Sequence, residues 1–99
     1  MGYEFHGFDS ALVAAVGEDE GLIAELRRAL FESASHYADL LERARCDANW
    51  EIAAHRLKSV AASFGASAVV AAADLALISA PGDPVAIRKV KSEVACLKV

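Results

Sequence analysis

The sequence has 99 residues, of which 56% are hydrophobic but only 7% aromatic, and its formal net charge is −4. That length predicts a single domain over residues 1–99 with one modest core. Acidic and basic residues are intermixed without a basic stripe, which leaves nucleic-acid binding without an electrostatic basis. Alanine is abundant and has the highest helix propensity, so the composition favours close-packed helices over a sheet.

The first predicted helix is short and covers residues 10–16, with Asp9 as its cap and Gly17 at its end. The residues before it lack the basic and apolar regions of a secretory signal, so we expect a cytoplasmic protein. The charge-poor stretch at 59–82 has about the length of a membrane span. It is rich in alanine, serine and glycine, and is weakly apolar, so two buried helices explain it better.

A long amphipathic helix is predicted next, from a cap at Asp19 to about Arg45. Its apolar residues recur at three- and four-residue steps, which is typical of a helix with one face in a core. The predicted core-facing residues are Leu22, Leu26, Ala29, Leu30, Ser33, Tyr37, Leu40, Leu41 and Ala44. We expect Asp39, Glu42 and Arg43 to form a solvated face of the same helix.

The third predicted helix runs from a cap at Asp47 to Phe64, and Gly65 follows it in the usual position for a glycine after a helix. A helix turns by about 100° per residue, which places one set of residues on a common core side. This set is Trp50, Ala53, Leu57, Val60, Ala61 and Phe64. His55 falls on the opposite side and is predicted to face water.

Two further helices are predicted, one over about 66–79 and one starting at Asp83–Pro84. Proline suits the first position of a helix, because the backbone N–H that proline lacks would have no hydrogen-bond partner within the helix there. The last helix should turn an apolar side to the core, made of Val85, Val90, Val94 and Leu97. Short loops imply antiparallel neighbours, so the predicted fold is all-α: an antiparallel up-down four-helix bundle with a short additional N-terminal helix.

The neighbours of His55 on the third helix make it a candidate reactive group. At helical spacing they are Glu51, Lys58, Ser59 and Ala62. The small side chains leave the ring open to a large partner, and Lys58 adds positive charge one turn away. Most surface histidines are simply solvated, so this spacing predicts where His55 points and not what it does.

Residues 54–66 have the sequence AHRLKSVAASFGA. This segment resembles the signature of the histidine-phosphotransfer (HPt) family: Ala-His-x-Leu-Lys-Gly, a few small or apolar residues, then Gly-Ala. Upstream, Asp47 and Trp50 are similar to the Asp-Trp pair that often opens the same helix in the family. The resemblance extends over most of the chain in the order of its predicted helices.

The resemblance implies that His55 is a phosphoacceptor, that Lys58 supports it with charge, and that Gly65 forms the tight turn between two helices. The implied partners are response-regulator receiver domains and a hybrid histidine kinase. The receiver would supply Mg²⁺, so no cofactor is expected on this chain, which would act as a phosphocarrier and not as an enzyme. A monomer is expected, as for most of the family, and Met1 near the first helix favours a free-standing protein.

A receiver is expected to contact the exposed face around His55. The predicted contact residues are Glu51, Arg56, Ser59 and Ala62. Ser59 departs from the family, which usually has glycine there. The next helix also departs, since alanines replace the usual leucines and the closing Leu-Glu pair is missing.

Two other classes of protein compete with this interpretation. One is a helical adaptor or dimerisation bundle in which the surface histidine is incidental. The other is the dimerising domain of a histidine kinase, which usually has an acidic residue directly after the histidine, where this chain has Arg56.

The remaining metal- and redox-capable residues suggest no second site. Cys46 and Cys96 lack metal-ligand spacing and are predicted to be reduced and at least half-buried. His6 is expected to be solvated, and His36 to be a half-buried packing residue whose best functional role would be at the edge of the His55 site. A zinc site from His36, His55 and a cysteine is a minor alternative, since no pair of these ligands has helical metal spacing.

Overall fold

A computed structural model describes residues 19–98, which form four helices and no strand. The helices are α1 (Glu20–Arg43), α2 (Asp47–Ser63), α3 (Ser67–Leu77) and α4 (Pro84–Ala95). Each packs against the next along the chain, and α4 also packs against α1. The all-helical prediction is thus confirmed for this part of the chain, whereas the helix predicted at 10–16 lies outside the described residues.

Helices α1 and α4 begin at the aspartates predicted to cap them. The Asp19 carboxylate accepts a hydrogen bond from the Leu22 N–H at 3.0 Å. The Asp83 carboxylate does the same for the Val85 N–H, also at 3.0 Å, with Pro84 as the first helical residue. Each bond satisfies one of the amide donors that a helix leaves unpaired at its amino end.

The cap predicted for α2 is wrong by one residue. Cys46 is the N-cap and makes no side-chain capping bond, while Asp47 is the first helical residue. A carboxylate in the first turn still stabilises a helix, because it lies near the positive end of the helix dipole.

Gly65 forms the turn between α2 and α3, as predicted. Its φ of 73° is in the left-handed region that favours glycine. The Ala66 N–H donates to the Ala61 carbonyl at 2.9 Å, and the Gly65 N–H donates to the Ala62 carbonyl at 3.2 Å. These two bonds are the pair that defines a Schellman end, and they turn the chain directly into α3.

We therefore expect Gly65→Ala to lower the free energy of unfolding by about 1–2 kcal/mol, because a β-carbon is disfavoured at positive φ. Urea denaturation followed by circular dichroism would measure the change. Gly21→Ala is the matched control, because it adds the same β-carbon at an exposed glycine of α1 whose φ is not positive, and it should not lower the stability. An unchanged midpoint for Gly65→Ala would contradict the left-handed geometry.

The core consists mainly of alanines around a few large side chains. The largest fully buried residues are Trp50, Leu30, Leu41, Leu57, Val69 and Val90. Small residues fill the remaining contacts and let the helices approach closely. The distance between packed helices depends on the side chains at the contact.

The predicted core faces of α1 and α4 need correction. Leu22 and Leu40 are 41% and 36% exposed, and Val85 on α4 is 58% exposed. Ala29 and Ser33 are exposed too, and buried alanines at 34, 38 and 86 take the contact positions. Where helices pack closely, alanine fits against the neighbouring backbone and larger side chains lie at the edge of the contact.

Helices α1 and α4 are also joined at the surface. The Lys91 Nζ donates to the Glu42 Oε1 at 2.8 Å, and this hydrogen bond raises the pKa of Lys91 above its ordinary value. Asp39 and Arg43 pair along α1 at 2.8 Å. The solvated face predicted for Asp39, Glu42 and Arg43 is confirmed, since all three are exposed.

Candidate functional site around His55

Helix α2 presents His55 to solvent because its opposite side is held in the core. Trp50, Ala53, Leu57 and Ala61 are buried, each no more than 3% exposed, as the helical spacing predicts. Val60 and Phe64 pack against this core only partly buried. The imidazole of His55 is exposed in the middle of the helix, so a partner can reach it without disturbing the core.

A hydrogen bond from Trp50 fixes α2 against α3. The indole Nε1 donates to the Ala76 carbonyl at 2.7 Å, within the core. Buried indole N–H groups require such a partner, because leaving a polar group unpaired in the interior costs free energy. The bond sets the position of α2 along α3, and therefore which side chains of the two helices meet.

The residues predicted to contact a partner share the exposed surface of α2 with His55. Glu51, Arg56, Ser59 and Ala62 are all exposed. Ser59 also accepts, at its backbone carbonyl, a 2.9 Å hydrogen bond from the Ser63 hydroxyl. On the C-terminal side of His55, the exposed residues Ser59 and Ala62 have small side chains, which do not screen the ring.

Lys58 is bound by a residue that the sequence interpretation did not include. Its Nζ lies 2.7 Å from the Oδ1 of Asp74 on α3, and the two side chains are 42% and 50% exposed. The sequence held a signal for this pair, because Asp74 is the only charged residue between Ser59 and Gly82. Its partner could not be chosen without knowing how α3 lies on α2.

An exposed groove with a mainly apolar lining lies between the end of α1 and the first half of α2. It has a volume of about 380 Å³ and is lined by Leu40, Arg43, Ala44, Asn49, Ile52, Ala53 and Arg56. Ile52 is 50% exposed and precedes His55 by one helical turn. We call this surface the Leu40–Ile52 groove. The sequence interpretation missed it, because Leu40 was assigned to the core.

A larger groove, of about 510 Å³, lies elsewhere. Its lining residues are Ala24, Arg27, Arg28, Phe31, Glu32, Leu97 and Lys98. None of them belongs to α2, so this groove includes none of the residues predicted to carry function.

The exposure of His36 and of the two cysteines differs from the predictions, while His6 lies outside the described residues. His36 is exposed and not half-buried; its ring lies 5.2 Å from that of Tyr37 in an edge-on arrangement. Cys46 and Cys96 are free, as predicted, but both are exposed, which corrects the expected burial. Cys46 is the N-cap of α2 and Cys96 is the C-cap of α4.

Among residues 19–98, no three histidine, cysteine or acidic side chains are grouped so that they could hold a metal ion. Within the same range, no helix is both long and apolar enough to cross a membrane. Comparisons of the chain with protein-family models, curated proteins and solved structures found no match.

Proposed function

We propose that this chain is a histidine-phosphotransfer protein that accepts and donates a phosphoryl group on His55. The observation that carries the proposal is the exposed imidazole in the middle of α2, within a segment that resembles the HPt signature. Burial of the opposite side of the helix supports it, because the backbone that carries the ring is then part of a packed scaffold. We also propose that the four helices run up and down in an antiparallel bundle, preceded by the short helix at 10–16.

The proposed step is a phosphoryl exchange between an aspartate of a receiver domain and the imidazole. The lone pair of the unprotonated ring nitrogen attacks phosphorus, a P–N bond forms, and the P–O bond to the aspartyl carboxylate breaks. The carboxylate leaves with its electron pair, and the remaining ring proton can pass to solvent. The reverse reaction returns the phosphoryl group to a receiver.

This chemistry asks little of the phosphocarrier itself. Phosphoryl transfer depends mainly on positioning and on stabilising charge on the transferred oxygens. The chain would contribute an accessible nucleophile on a rigid helix and a lysine one turn away. The receiver is expected to bring Mg²⁺ and its own charged residues, so the chain would be a carrier without kinase activity of its own.

The direct test is transfer of radiolabelled phosphate from a panel of phosphorylated receiver domains to this chain. We expect a label that is lost in acid and retained in base, as for a phosphorus–nitrogen bond; an aspartyl phosphate is lost in base. No label from any receiver, with helical circular dichroism intact, would instead favour the adaptor or dimerisation bundle. Sedimentation of the unlabelled chain would then show whether it self-associates.

The Leu40–Ile52 groove is the proposed docking surface for the receiver. Leu40 and Ile52 give it an exposed apolar centre, and Arg43 and Arg56 border it. A receiver that carries an apolar patch beside its acidic phosphorylation site would match both features. Two of its lining residues, Ile52 and Arg56, lie three residues before and one residue after His55 on α2, so a partner seated there would have its phosphorylation site close to the ring.

We expect Ile52→Asp to slow receiver-to-His55 transfer about tenfold at limiting receiver concentration, because it places a charge in the apolar centre of the contact. Val85→Asp is the matched control, since Val85 is a similarly exposed apolar residue on α4. Its transfer rate should equal that of the wild type. Equal rates for the two variants would rule out this groove as the docking surface, whatever the labelling of His55.

A further inference from the structure

Asp74 is the only charged residue in α3, and its carboxylate holds the ammonium group of Lys58. The two atoms are 2.7 Å apart and belong to different helices. Lys58 follows His55 by three residues on α2, so it is the cation that the proposed function places near a phosphoryl group. The structure thus gives that cation an anionic partner before any phosphate arrives.

The pair is poorly explained by stability alone. Both side chains are about half exposed, and ion pairs at such positions contribute little because water screens them and long side chains lose freedom. The pair does fix where the ammonium lies, which is against α3. The other residues of α3 are apolar or small and carry no charge. The main effect of the Asp74 charge is therefore on Lys58.

We infer that Asp74 is a positioning residue that limits how much of the Lys58 charge is available to a phosphoryl group on His55. This inference rests on the proposed function. A phosphoryl group on His55 and the carboxylate of Asp74 would compete for the ammonium of Lys58. Phosphorylated side chains carry a charge of about −1.5 to −2 at neutral pH. Asp74 exchanges no proton or bond in the step. It lowers the stability of the phosphorylated state by holding its counter-ion.

Removing the carboxylate should therefore favour phosphorylation. We expect Asp74→Asn to shift the equilibrium between phospho-receiver and phosphohistidine towards the chain by about two- to fivefold, which is the range that exposed ion pairs reach. The amide keeps the size of the side chain. Asp74→Glu keeps the charge and should stay close to the wild-type equilibrium.

Two further variants separate an effect through Lys58 from a general effect of charge. In Lys58→Met, the Asp74→Asn change should no longer shift the equilibrium, because the ammonium that it releases is gone. Glu93→Gln removes a carboxylate that pairs with Lys89 at 2.8 Å. Both residues belong to α4, and α4 does not contact α2. This substitution changes the net charge equally and should leave the equilibrium unchanged.

The experiment is an equilibrium measurement with one phosphorylated receiver and each purified variant, all checked for helical circular dichroism. An Asp74→Asn shift towards phosphohistidine that vanishes in the Lys58→Met background would establish the inference. An unchanged or opposite equilibrium, or the same shift in both backgrounds, would overturn it. An unlabelled wild type would instead refute the proposed function, so the two failures are distinguishable.

Discussion

Replacing His55 with glutamine is expected to abolish the acid-labile label, lowering phosphotransfer by more than about a hundredfold, since the nucleophile itself is removed. Glutamine keeps a polar side chain and suits a helix, but it offers no basic ring nitrogen. Because His55 is exposed and contributes nothing to the core, the free energy of unfolding should change by no more than about 0.5 kcal/mol. Transfer from a labelled receiver and urea denaturation would measure the two quantities.

His36→Gln provides the matched control for that prediction. His36 is also an exposed histidine in a helix, but it lies on α1. Its loss should leave the label intact. A label that persists in His55→Gln, or one that disappears in His36→Gln, would place the phosphoacceptor on another residue.

The ends of the helices could be predicted because they depend on local chemistry. Asp19 and Asp83 cap the helices that follow them, and Gly65 adopts the positive φ that its position requires. The exposure of His55 was also predictable. Trp50 and Leu57 lie on one side of α2 and are buried, and His55 lies on the opposite side.

The packing of the alanine-rich helices could not be predicted in the same way. Alanine is compatible with either a core or a surface position, so hydrophobicity gave no reason to prefer Ala34 and Ala38 over Leu40 on α1. The apolar periodicity correctly predicted a helix. Some of the most hydrophobic side chains, however, do not lie where α1 contacts its neighbouring helices. Close approach of two helices selects for small volume as well as for low polarity.

The candidate site was predictable where it depends on one helix and not where it depends on two. His55, Ser59 and Ala62 share the surface of α2 through spacing alone. The Lys58–Asp74 pair and the Leu40–Ile52 groove require the position of α2 against α3 and against α1. These are long-range contacts, which no local pattern in the sequence encodes.

Replacing Trp50 with alanine is expected to lower the free energy of unfolding by about 3–5 kcal/mol, which is the usual range for removing a large buried aromatic side chain. Trp50 is 1% exposed and belongs to a core whose buried residues are mainly alanines, which are too short to fill the space that it would leave. Single domains have only about 5–15 kcal/mol in total, so this loss is a large share of the stability and should lower the unfolding midpoints clearly. Thermal and urea denaturation would measure the loss.

Trp50→Phe separates the hydrogen bond from the packing. It keeps an aromatic ring but removes the indole donor to the Ala76 carbonyl, which still accepts the Ser79 N–H at 3.1 Å. Because that carbonyl keeps one partner, we expect a smaller loss, about 1–2 kcal/mol. The bond also sets where Asp74, two residues before Ala76, lies along α2. A folded Trp50→Phe protein should therefore shift the phosphotransfer equilibrium in the direction of Asp74→Asn, and an unchanged equilibrium would mean that other contacts hold Asp74 against Lys58.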